Sequence, residues 1–158
     1  MKLRYNDEAW NFEEMDPFET ALLREVPLCA VPEDEKTKRR LYSSPTAGAD
    51  KEADEEWREN VDPGLRELFQ SHLDAVVGDI AKMKIEGESS SIRIPAANAP
   101  AWIHTLNQAR LALGAKHDVT EDDMEGRRMP RENAKLYALM QIDCYGTLLG
   151  LLLRHTEL

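Results

Sequence analysis

The sequence predicts a mainly α (α+β) domain: a compact bundle of about four to five helices with a small antiparallel sheet. Three observations carry this. Two long stretches, Ala99–His117 and Pro130 to Leu153, repeat apolar residues at helical spacing. Asp16-Pro17 and Asp62-Pro63 each place an acidic cap before a proline, a helix-start signal. Short alternating segments at the amino terminus and at Ile85–Ile94 have the two-residue period of strands. The chain has 158 residues, enough for one domain, 1–158, with a real core.

Ala99–His117 is the central helix. Trp102, Leu106, Ala109 and Leu113 share a stripe, and Ile103 and Arg110 lie beside it. Asn98 is the expected cap and Pro100 sits in the first turn, where its missing N–H costs nothing. Asn107 and Arg110 stand on adjacent turns of one side. A covered guanidinium needs a partner, or it forfeits several kcal/mol of hydration. Asp143, in the other strongly apolar helix, is the expected partner. A structural ion pair between them is the favoured reading. The alternative is an anchor for an anion or for a partner protein.

Trp102 followed by Leu106-Asn107-Gln108-Ala109-Arg110-Leu111-Ala112-Leu113-Gly114 resembles the W-x3-LN-x2-RL-x-LG signature of the bacterial family called domain of unknown function 2017. Arg40-Leu41 before Pro45, Trp57 before Pro63, and Tyr137 in the last helix follow the order of that family, so the resemblance runs from about Pro17 onward. Gln108 and Ala109 depart from the Asp-Leu expected between Asn107 and Arg110. The resemblance implies a small, mostly helical cytoplasmic protein with no assigned enzymatic activity. It also implies a gene neighbourhood that includes an adaptor of the Clp protease.

The formal net charge of −10 argues against nonspecific binding to nucleic acid or to anionic lipid, both of which need a basic footprint. Cys29 and Cys144 are the two cysteines. They are not in a C-x-x-C pair, so no structural zinc site is expected. Two free buried thiols are the default in a reducing cytosol, and a redox pair is the alternative. The start is too polar for a signal peptide. The apolar run Leu148–Leu153 falls short of the roughly 20 residues that span a bilayer. The expectation is a cytoplasmic protein without cofactor or metal.

Taken in order, Lys2–Tyr5 and Trp10–Phe12 read as a hairpin with a polar turn. A helix from Pro17 is expected to end at Val26, because Pro27 disfavours helix before it. Lys36, Lys38, Arg39 and Arg40 are the dense basic cluster, read as a solvated face with salt bridges to Glu33, Asp34 and Glu35. Ser43–Asp50 reads as a loop, and Glu52–Asn60 as a short acidic helix anchored by Trp57. Leu65, Phe69, His72, Val76, Ile80 and Met83 predict a long buried stripe, widened by Leu68, Leu73 and Val77, with His72 as a hydrogen-bonded core residue. Strands at Ile85 and Ser91–Ile94 are expected to join the amino-terminal hairpin. Asp118–Met129 reads as a solvated loop in which Thr120 caps a short turn. In the last helix, Leu136, Met140, Asp143, Thr147 and Leu151 form one line. Its apolar surroundings predict burial or a subunit interface, and Gly146 and Gly150 permit close approach.

Three functions are weighed. The first is a non-enzymatic regulatory or adaptor module that binds another protein, as monomer or homodimer, with Trp102, Asn107, Arg110 and Asp143 as structural or partner anchors. The second is a redox-responsive or transcription-linked regulator using Cys29 and Cys144 or the basic cluster. The third is an enzyme or anion-binding protein using Asn107 and Arg110, with His104 nearby. No G-x-S-x-G, phosphate loop or paired catalytic carboxylates support an enzyme, and no catalytic residue is assigned.

Overall fold

The structure, a computed structural model, describes residues 1–42, 44–127 and 129–156. Ser43 and Arg128, in the two expected loops, lie outside the described residues. The described elements run β1 (Lys2–Asn6), β2 (Ala9–Met15), α1 (Pro17–Ala30), α2 (Glu35–Leu41), α3 (Lys51–Asn60), α4 (Asp62–Ala81), β3 (Lys84–Glu86), β4 (Ser89–Pro95), α5 (Ala99–Lys116), α6 (Glu121–Met124) and α7 (Asn133–Arg154), with one 3-10 turn at Ala96–Asn98. The α+β expectation holds, with seven helices among the described residues rather than four to five. The extra two are α2 and α6. Both are short and polar, so they lack the apolar repeat that announces a helix, and side chains fix their starts. Asp34 accepts from the Thr37 backbone N–H, and Thr120 and Asp123 form a capping box.

The four strands lie antiparallel in the order β1-β2-β4-β3. Asn6 Oδ1 accepts from the backbone N–H groups of Glu8 and Ala9, which closes the first turn. Gly87, at φ +64°, supplies the left-handed position of the second. Ile92 and Ile94 of β4 pair with Phe12 and Trp10 of β2. All four are buried, and with Met15 they form the apolar face of the sheet.

Helix α5 is the hub of the bundle, touching α1, α2, α4 and α7. Its Ala101, Ala109, Ala112 and Ala115 are buried beside Trp102, Leu106 and Leu113. Small residues around the cylinder let several helices approach at once. Helix α1 passes through Pro27 to Ala30 rather than ending at Val26. Pro27 removes one hydrogen bond only a turn from the end. Val26 and Ala30 bury the same face, and the Gln108 amide donates to the Ala30 carbonyl at 2.9 Å, satisfying one terminal acceptor.

Helix α4 departs from its expected long buried stripe. Only Val76 and Asp79 are buried, while Leu65, Phe69, His72, Ile80 and Met83 are half-buried and Leu68 and Val77 exposed. It packs chiefly against α5 and α3 at the edge of the domain, so its apolar side chains are covered on one flank alone. Helix α7 departs similarly. Ala138, Ile142, Tyr145, Leu148 and Leu152 are core, but the predicted line of Leu136, Met140, Asp143 and Thr147 faces outward. At 22 residues α7 is long and apolar enough to cross a membrane by length and composition, a property that the run Leu148–Leu153 alone does not show. Here one face of it closes the core.

Candidate functional site: the outer seam between α5 and α7

The amino end of α5 is fixed by a buried carboxylate. Asp79, 3% exposed near the end of α4, accepts from Trp102 Nε1 at 2.9 Å and from Asn98 Nδ2 at 3.0 Å to each oxygen. Asn98 therefore does not cap α5 as expected. It stands in a right-handed conformation at the end of the 3-10 turn, and its amide turns to Asp79 instead. Among the described residues Asp79 has no cationic partner; uncharged donors hold it. Its one sign in the sequence is an acid three residues beyond Val76 on an apolar stripe.

This latch orients the face of α5 that carries Asn107 and Arg110. Lys135 Nζ donates to the Asp118 carbonyl, which places the end of α5 beside the start of α7, so the two helices run antiparallel. Side chains lean toward the amino end of their own helix. Arg110 therefore leans along α7 toward Gly146, and Asp143 leans the other way. The expected Arg110–Asp143 ion pair is not formed, and among the described residues Arg110 pairs with no carboxylate. A Cβ added at Gly146 would stand 3.4 Å from Arg110 Nε and 3.5 Å from Cζ, so the missing side chain makes room for the guanidinium. Gly150, one turn further on, meets nothing within 4 Å.

Arg110 Nε is sealed from solvent without a hydrogen-bond partner among the described residues. An unmet donor of this kind costs about 1–3 kcal/mol. Asn107 and Asp143 are exposed and Arg110 is half-buried. The seam is therefore an open strip holding a guanidinium with no counter-ion, an amide and a carboxylate, flanked by outward Met140 and Leu136. Five clefts among the described residues are lined by neither Asn107 nor Arg110. His104 is exposed and stacks on His72 of α4, with ring centroids 4.8 Å apart and planes within 6°. His72 is thus a stacked residue whose Nδ1 is buried without a partner, rather than a hydrogen-bonded core histidine. Burial, and then His104, lowers its pKa.

Cys29 lies in a cleft that Asn107, Arg110 and Asp143 do not line, whereas Cys144 follows Asp143 on α7. Cys29 of α1 borders a cleft of about 340 Å³ with Glu25, Thr37, Lys116, Tyr137 and Gln141. Glu25 Oε2 accepts from Tyr137 Oη at 2.7 Å and from Gln141 Nε2 at 2.9 Å. The bond to this carboxylate raises the Tyr137 phenol to about 12. Cys29 and Cys144 are both free and half-buried. Burial raises the first thiol and takes the second to about 11. Both are thus held as thiols, the less reactive form. The basic cluster on α2 is partly neutralised, with Lys36 paired to Asp118 and Lys38 to Glu35. In the acidic loop, Asp123 accepts from the Thr120 N–H and hydroxyl and from Lys135, which together lower its carboxyl to about 2. Among the described residues, no group of three or more His, Cys, Asp or Glu side chains is placed to hold a metal ion.

The fold and the seam define a helical α+β domain built on a hub helix, with a charged strip along its outer edge. A family model, described as a domain of unknown function, matches residues 6–156. The chain belongs to that family, domain of unknown function 2017. Comparison with curated proteins and with solved structures gives no match.

Proposed function

We propose that the chain is a non-enzymatic regulatory or adaptor module of the cytoplasm that acts through protein–protein interaction, with the outer seam of α5 and α7 as its contact face. The observation that carries this reading is the uncovered face of α7. Only a third of its most apolar stretch is buried, and Leu136 and Met140 remain 38% and 44% exposed. Apolar side chains gathered on one outer face mark interaction sites more often than scattered ones do. Arg110 adds a polar anchor at their edge, a residue type enriched at the energetic centres of interfaces. A protease-adaptor setting fits a module of this kind.

The test compares capture from native cytosol by the wild-type chain, by M140D, and by E56K on the acidic helix α3. Specific capture, of this chain or of another protein, is expected to survive E56K and to be lost in M140D. Equal capture by all three, or none by the wild type, would remove the seam from the reading.

A further inference from the structure

We infer that the partner on this seam is a second copy of the chain, in a two-fold contact that pairs Arg110 of each protomer with Asp143 of the other. The inference rests on the docking reading above and adds the identity of the occupant. Arg110 has no carboxylate partner, and Asp143, exposed on the same seam, has no cation among the described residues. The two are kept apart within one chain because they lean in opposite directions along antiparallel helices. Yet Gly146, under the guanidinium, is three residues from Asp143, about 4.5 Å along the helix at 1.5 Å per residue. A two-fold axis beside such a strip sets Arg110 of each protomer against Asp143 of the other, so the same contact is made twice, which is the self-complementarity an isologous interface requires. One contact would then neutralise two cations and two anions.

Charge is arranged to allow this. A net charge of −10 opposes self-association unless the meeting faces are spared the acid excess. Across Ala99–Lys116 and Asn133–Arg154 the charged residues are Arg110, Lys116, Lys135, Arg154 and a single acid, Asp143. The dense acidic surface lies on α3 and α6. Met140, one turn from Asp143, and Leu136, a further turn on, supply apolar area beside the exchanged pairs. The side chain missing at Gly150 leaves open space on the same strip for a neighbouring copy.

Sedimentation of the full chain over a concentration series tests the contact. The wild type is expected to reach twice the monomer mass. D143R and R110D are each expected to weaken the dimer by about tenfold or more, the size of effect seen when charges oppose across an interface. The double swap R110D/D143R is expected to restore it. A wild type that stays monomeric at about 100 μM, far above the dissociation constants of specific dimers, overturns the inference. So do single variants that dimerise like the wild type, or a folded double swap that stays apart. Should R110D fail to fold, D143R and D143N, at an exposed position, decide the question alone. A monomeric wild type that still captures another protein in an M140D-sensitive way overturns the second-copy inference and leaves the docking reading standing.

Discussion

Replacing Asp79 with alanine is expected to lower the unfolding free energy by about 2–4 kcal/mol, because the buried Trp102 donor loses its acceptor at about 1–3 kcal/mol and the half-buried Asn98 amide adds a smaller loss. Trp102 Nε1 and Asn98 Nδ2 both end on this carboxylate. Trp102 is fully buried, so its indole N–H is left without a protein acceptor when the carboxylate is removed. D79N keeps one carbonyl oxygen and should recover part of the loss. Urea unfolding of the three proteins measures the series. A D79A loss below about 0.5 kcal/mol, the range of ordinary surface changes, would mean that the latch is not what holds α4 to α5.

Removing the Tyr145 ring should cost more still. Y145A is expected to destabilise the chain by about 3–5 kcal/mol, the range for deleting a buried aromatic side chain. Tyr145 is fully buried where α7 meets α1, and its hydroxyl donates to the Leu22 carbonyl at 2.7 Å. Burial pushes its phenol far above the ordinary range, so it remains a donor at any pH at which the protein folds. Y145F keeps the ring and drops the bond, for an expected loss of about 1–2 kcal/mol. The difference between the two variants separates packing from hydrogen bonding. Equal losses would mean that the hydroxyl carries the contact.

What could be read in advance followed how local each signal is. The strand pairs and the acidic-cap-plus-proline start at Asp16-Pro17 depend on neighbours in sequence, and the structure has them. The stripe Trp102, Leu106, Ala109, Leu113 is buried as its period predicts. Which flank of α4 and α7 would be covered could not be read, because both carry apolar residues on more than one side and periodicity does not count the neighbours. Leu136, Met140 and Leu68 therefore look like core and stand in solvent. The Arg110–Asp143 pair failed for a directional reason. Both residues sit on the right faces, but antiparallel helices tilt their side chains apart. Asp79 is hidden because nothing in the sequence separates an acid that meets an indole N–H and an amide from the surface acids of the same helix. Pro27 misled because its cost is small one turn before a helix end.

Docking at the seam requires the Arg110 charge to be left unneutralised within its own chain. The direct measurement is a double-mutant cycle, R110M, D143N and the pair, read from urea unfolding at concentrations dilute enough to keep the chain monomeric. The account predicts a coupling below about 0.5 kcal/mol, the level at which distant sites add independently. A coupling of about 1 kcal/mol or above, the upper end for an ion pair with an exposed partner, would place the two groups together inside one molecule and contradict it.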